Sequence, residues 1–193
     1  MAKKSKSLLK HGFKAEAERI SERLRKELKI SKFAPLCAFA LAEHLGVTIA
    51  GITEVLPKEG VNKLNDPSKK EKFSGLLFKN EDGDPVVLHN DLDSKKRQQS
   101  NLMHELAHFL CGHEVPEEIR NLIYLYNLRY FNAEHEAEAK YLGGCLQIPK
   151  PGLLWKRKEQ CSEEEISEYF SASVDMVNYR INTLGLNRRF KRN

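Results

Sequence analysis

The chain has 193 residues, of which 40% are hydrophobic and 31% charged, and it carries a formal net charge of +5. That length suits one full-sized core, or a catalytic domain with a small appendage. The composition is that of a globular protein and excludes the disordered and membrane classes.

The positive charge is concentrated in the first 14 residues and in the C-terminal stretch NRRFKRN, Asn187 to Asn193. Both read as solvated basic tails. The opening MAKKSKSLLKHGFK lacks the apolar centre of a secretion signal. No apolar run approaches the roughly 18 residues needed to cross a bilayer. The four cysteines, Cys37, Cys111, Cys145 and Cys161, are far apart and form no CxxC. A cytoplasmic location with reduced thiols is therefore expected, with no membrane partner and no cysteine zinc site.

From Phe13, the apolar residues Phe13, Ala17, Ile20, Leu24 and Leu28 recur at helical spacing and predict one packed stripe. A short helix is expected from Pro35 to Leu45, stopped by Gly46, and VTIAGI then reads as a strand. Pro57 to Lys72, rich in turn formers and lysine, is expected to be a loop. FSGLLFK and PVVLHN, separated by Asn80 to Asp84, predict a β-hairpin turning at Gly83. With Ser94 as N-cap and no breaker before Gly112, a helix follows. It carries SNLMHELAHFLCGH, Ser100 to His113.

On that helix His104 and His108 lie one above the other, so their ring nitrogens can meet one ion at roughly 2.0–2.1 Å. Glu105 stands beside them, where a carboxylate can take a proton from a water activated by zinc. A strand running directly into the motif helix is the arrangement by which zinc peptidases set a sheet edge beside the metal. A catalytic zinc also needs a third protein ligand and an open position. The extension HExxHxxGxxH would need glycine at 111 and histidine at 114, but the chain has Cys111 and Glu114.

A second helix, AEHEAEAKYLGGCLQIP, Ala133 to Pro149, offers Glu136 on the same face as Ala139, Gly143 and Leu146. Its adjacent glycines, Gly143 and Gly144, suit close approach to the HELAH helix. His135 and Glu138 lie about 100° and about 160° around the axis from Glu136. Glu138→Ala is accordingly expected to be nearly silent toward metal. His113 and Glu114, beyond Gly112, are excluded less firmly and stay open as ligands.

Between the two motifs, Glu114 to Ala133 carries an aromatic-rich run that reads as core, and Tyr124, Tyr126, Arg129 and His89 are candidates to stabilise an oxyanion. Beyond Pro149, Ser162 and Glu165 form a capping box, and two short helices broken around Ser171 to Ser173 approach a helix-turn-helix. The first turn of the second offers Val174, Asp175 and Met176, a poor set for base edges and phosphates. DNA binding, if any, is expected to be weak, salt-sensitive and indifferent to sequence, with Arg188, Arg189, Lys191 and Arg192 giving backbone contacts.

HELAH followed downstream by EAEAKYLGGCLQIP resembles the ImmA/IrrE family of zinc metallo-endopeptidases. The second motif of that family runs Glu-x-x-Ala, an aromatic-Ala-Ala patch, then Leu-Met-Pro. AEAERISERLRKEL, PLCAFALAEHLGV and SKKRQQSNLMHELAH resemble its earlier helices, so the likeness covers most of residues 13–150. The chain departs from the pattern at Leu142, Gly143 and Gly144, and at Gln147-Ile148 before Pro149. The resemblance implies Zn2+ held by His104, His108 and Glu136, with Glu105 as general base. It implies a protein substrate, typically a helix-turn-helix repressor of the Xre type, and an anti-repressor role in a mobile-element, phage or stress regulon.

The expected architecture is α+β. A zincin-like metallopeptidase domain over 12–150 has a small antiparallel or mixed sheet and an active-site helix, and a helix-turn-helix-like appendage with a basic tail covers 151–193. The rival readings are a DNA-binding regulator that keeps the zinc fold for structure, and a zinc-binding interaction module without turnover. A purely structural site would not need Glu105.

Overall fold

The computed structural model describes residues 8–66, 68, 73–113 and 131–186. Helix α1 (Phe13–Glu27) buries Ala17 and Leu24 against the core, with Phe13, Ile20 and Leu28 packed beside them, so the apolar stripe is found where the spacing put it. Helix α2 (Ala38–Leu45) precedes strand β1 (Thr48–Gly51) and the short helix α3 (Ile52–Val55).

The expected loop from Pro57 to Lys72 is corrected in its first half, where Lys58–Leu64 forms helix α4. Pro57 and Asn65 are the boundaries of this helix, and Gly60 and Asn62 are tolerated in its interior. Pro57 sits at the N-cap position, Glu59 and Lys63 complement the helix dipole at the two ends, and the Asn65 side chain donates to the Val61 carbonyl at 3.2 Å.

Strands β2 (Gly75–Lys79) and β3 (Pro85–His89) form the expected hairpin, and β1 adds parallel to β3. The resulting mixed sheet has the order β1-β3-β2. The strand that leads into the motif helix is thus central, and β2 is the edge that reaches the motif. After β3 the Ser94 side chain accepts from the Arg97 amide and starts helix α5 (Lys95–Leu110).

Helix α5 packs on the sheet and on helix α6 (Ala133–Gln147). Leu102, Met103, Leu106 and Ala107 of α5 and Ala139, Leu142, Cys145 and Leu146 of α6 are all fully buried. Each large apolar side chain among them contributes roughly 1.5–3 kcal/mol. A Cβ at Gly143 would lie 3.1 Å from the Met103 carbonyl oxygen and 3.4 Å from the His104 Cα, so the α6 backbone rests on that of α5. Gly144 faces the other way, and its Cβ would stand 3.0 Å from Arg180 Cδ and 3.2 Å from Met176 Sδ.

Among the described residues three more helices follow, α7 (Lys150–Lys158), α8 (Glu163–Tyr169) and α9 (Val174–Thr183). Helix α7 has no counterpart among the expected elements; Pro149 is its N-cap and Pro151 lies in its first turn, where proline is tolerated. Ser162 and Glu165 form the expected capping box at the start of α8. Ile148, Leu153, Ile166, Phe170, Val177 and Ile181 make a second apolar cluster. The basic tail from residue 187 lies outside the described residues.

The buried end of α6 is sealed by side chains from both ends of the chain. The Ser21 hydroxyl donates to the Cys145 carbonyl at 2.7 Å, Arg25 to Leu146 at 2.7 Å and Arg180 to Ile148 at 3.0 Å. These carbonyls have no partner within the helix. Arg180 also meets Glu18 at 2.7 Å. Burial lowers the pKa of Arg25 to about 10, which leaves it charged at neutral pH. No helix among the described residues is long and apolar enough to cross a membrane.

Gly143→Ala should destabilise the protein by about 1–3 kcal/mol, because a methyl group must displace backbone. At Gly60, in α4, a Cβ meets nothing nearer than 3.6 Å. Gly60→Ala should therefore stabilise by about 0.4–1 kcal/mol through the unfolded chain. Urea unfolding followed by circular dichroism separates the two, and equal effects would refute the close-approach argument.

Candidate metal centre

Helix α5 buries its apolar side and leaves His104, Glu105 and His108 half-buried along the other. The start of α6 is fixed by Asn132, whose side chain accepts from the amides of Glu134 and His135 at 2.9 and 3.2 Å. That cap and the Gly143 contact bring Glu136 to the histidine pair. His104 Nε2 lies 3.1 Å from His108 Nε2 and 3.2 Å from Glu136 Oε2, and His108 Nε2 lies 3.6 Å from Glu136 Oε1.

One ligand atom from each of His104, His108 and Glu136 lies within 4.8 Å of the others. Donor atoms bound tetrahedrally at roughly 2.0–2.1 Å stand about 3.3–3.4 Å apart. The donor set therefore fits a small divalent ion in both spacing and chemistry, two imidazole nitrogens and a carboxylate. Burial chiefly, with His104 adding to it and Glu136 opposing, lowers the pKa of His108 to about 4. The ring is neutral at neutral pH, as a metal ligand must be.

Glu105 is turned toward the sheet. Its Oε2 accepts from the Leu77 amide of the edge strand β2 at 3.1 Å. A Cβ at Gly75 would lie 3.0 Å from its Cγ and would press the Glu105 side chain out of its present position. A cleft of about 530 Å³ opens over this group. Ser74, Asn101, His104, Glu105 and Glu136 line it, with apolar contributions from Leu8, Phe131 and, from α9, Met176.

Two residues act here in ways the sequence reading did not assign. Glu138 was expected to point away from the metal face, yet it is 3% exposed, and its Oε2 lies 3.1 Å from His113 Nε2. The azimuth relative to Glu136 was correct. The error lay in allowing α6 one inward face, when α1, α5 and α9 all pack on it and nearly every residue from Glu138 to Ile148 is buried. His113, left open as a ligand, turns its Nδ1 to His108 Nδ1 at 2.9 Å, on the side of that ring remote from Glu136. His135 stacks on His113 with ring centroids 4.1 Å apart.

A signal for His113 was present in the sequence, because a glycine that ends a helix folds the next residue back over its last turn. Burial raises the pKa of the Cys111 thiol to about 11, so it stays protonated. Tyr124, Tyr126, Arg129 and Glu114 lie outside the described residues. His89 is 4% exposed, with its ring edge against Phe39, and does not line the cleft. Phe131, at the end of the aromatic run expected to be core, is 68% exposed.

A family profile described as IrrE N-terminal-like domain, a peptidase family, matches residues 58–182. The fold is similar to that of a Mycobacterium tuberculosis transcriptional regulator, with a TM-score of 0.56 and 14% sequence identity. That likeness covers 95% of this chain and 50% of the regulator, so the chain spans half the regulator's length. No curated protein matches.

The purified protein should take up about one equivalent of divalent metal. Glu136→Ala should weaken binding by well over the roughly 10–100-fold typical of losses behind the ligands. Elemental analysis after reconstitution and chelator competition measure both. An uptake below about a tenth of an equivalent would remove the metal centre.

Proposed function

The chain belongs to the IrrE N-terminal-like domain family, and from that premise we propose that it is a zinc-dependent endopeptidase whose metal is held by His104, His108 and Glu136, with Glu105 as general base. The observation that carries the reading is the pairing of a three-donor cluster at tetrahedral spacing with a carboxylate pinned between the cluster and a sheet edge. A purely structural metal site has no use for that carboxylate.

A divalent ion bound there supplies Lewis acidity toward a water and a peptide carbonyl. The protein supplies the rest. Glu105 accepts the proton of the attacking water and returns it to the departing amine. Its tie to the Leu77 amide fixes the orientation of its carboxyl group. Among the described residues β2 pairs only with β3, so its outer edge can take an extended peptide as a further strand. The apolar cleft residues Leu8, Phe131 and Met176 would grip side chains of that peptide.

The proposed substrate is a helix-turn-helix repressor of the Xre type, which makes the protein an anti-repressor acting in the cytoplasm. The appendage over 151–193 is proposed to dock that substrate. Met176 in the cleft wall supports docking, and an acidic first turn with Arg180 turned inward weighs against DNA reading. A second reading, a regulator without turnover, draws on the description of the fold neighbour as a transcriptional regulator.

Glu105→Gln distinguishes the two. It should keep the fold and the metal while cleavage of a cognate repressor, followed by mass spectrometry, falls by about a hundredfold or more. Cleavage unchanged by this substitution would exclude Glu105 as the base. A metal-loaded native protein that cuts none of the repressors encoded beside it would favour the regulator.

A further inference from the structure

Helix α5 ends in a turn that brings an extra histidine back onto the metal cluster. With Gly112 at φ 64°, the Gly112 amide donates to the Phe109 carbonyl and the His113 amide to the His108 carbonyl, both at 3.0 Å. This pair of bonds is a Schellman motif, which folds the residue after the glycine over the last helical turn. The His113 side chain therefore lies against the ring of His108.

In that position His113 is enclosed. Its side chain is 6% exposed and that of Glu138 is 4% exposed, and the His135 ring lies flat against it at an interplanar angle of 2°. Its two nitrogens have different partners, Nε2 facing Glu138 Oε2 at 3.1 Å and Nδ1 facing His108 Nδ1 at 2.9 Å. Lys10 Nζ stands 3.5 Å from the other oxygen of Glu138 and balances its charge.

The hydrogen-bond inventory allows one consistent arrangement of a neutral His113. A carboxylate accepts and does not donate, so the single N–H of His113 is on Nε2 and points to Glu138. Its Nδ1 is then an acceptor, and the proton between the two rings belongs to His108 Nδ1. That leaves His108 Nε2 with a lone pair directed at His104 and Glu136, as metal binding requires.

We propose that Glu138 and His113 are positioning residues that fix His108 as the Nδ1–H tautomer and aim its Nε2 at the metal. The chain of contacts runs Glu138, His113, His108. Carboxylates that orient a metal-bound imidazole directly are common, and here a second imidazole is interposed. The inference rests on the reading of His104, His108 and Glu136 as the ligands.

Zinc affinity of the purified protein, measured by chelator competition at fixed pH, tests it. His113→Leu fills the space but offers neither a donor nor an acceptor, and should weaken zinc binding about 10–100-fold. His113→Gln keeps one acceptor and one donor and should recover most of that loss. Glu138→Leu should weaken binding in the native background and add nothing in the His113→Leu background, since it acts through His113.

Equal affinity of the native protein and His113→Leu would overturn the proposal. So would a loss in His113→Gln as large as in His113→Leu, which would mean packing and not hydrogen bonding. Loss of binding in His113→Leu as complete as in Glu136→Ala would make His113 a ligand, again against the proposal. Failure of the native protein to bind zinc would instead overturn the reading of the metal centre on which this rests.

Discussion

Two helix backbones can lie against each other only where no side chain separates them, and the candidate centre hangs on one such place. At Gly143 the α6 backbone meets the α5 carbonyl of Met103, one residue before His104. That contact sets the height and rotation at which Glu136, two turns earlier on α6, confronts the histidines. The neighbouring Gly144 makes room on another side for the side chains of Arg180 and Met176 of α9. Two glycines in sequence, about 100° apart in azimuth, thus seat three helices. Glycine in a helix interior costs roughly 0.8–1.0 kcal/mol relative to alanine, and burial of the surrounding apolar side chains offsets it.

Much of this was legible in the chain alone. The period of α1, the hairpin, the Ser94 cap and the two faces of α5 are local features, set by residues three or four apart. Glu136 was legible because the glycines marked which side of α6 meets a neighbour. What could not be read was how many neighbours α6 has. A helix packed from several directions carries no single polar stripe, and placing Glu138 about 160° from Glu136 did not reveal that a second packed face buries it. The same limit applied to Pro57 and Asn65, whose turn-forming character is real but which stand at the two ends of a helix and not in a loop.

Charge placement follows the same logic of ends and faces. The first turn of α6 carries Glu134 and Glu136, where the helix dipole favours carboxylates, and His108 stands in the last turn of α5. The dipole of α6 thus favours the carboxylates at its start, while the neutral His108 ring at the end of α5 gains nothing from that helix's dipole. His108 and His113 are both desolvated, which lowers both pKa values, and neutral rings can adjoin without repulsion. Glu105, by contrast, shares helix α5 with the histidines but has its carboxylate oriented by a backbone amide of the sheet.

The sealing of α6 ties the order of synthesis to the order of assembly. Its terminal carbonyls wait for Ser21 and Arg25 from the first helix and for Arg180 from the last, and Arg180 meets Glu18 across 162 residues of sequence. Contacts so distant along the chain must close large loops before they return any stability, which slows folding. Until residue 180 has left the ribosome, the Ile148 carbonyl at the end of the helix that bears Glu136 lacks its Arg180 donor. A chain that has both histidines and Glu136 but not yet residue 180 therefore carries the candidate ligands on a helix whose end is only partly sealed, and the rigidity of the candidate centre depends on residues far from it in sequence.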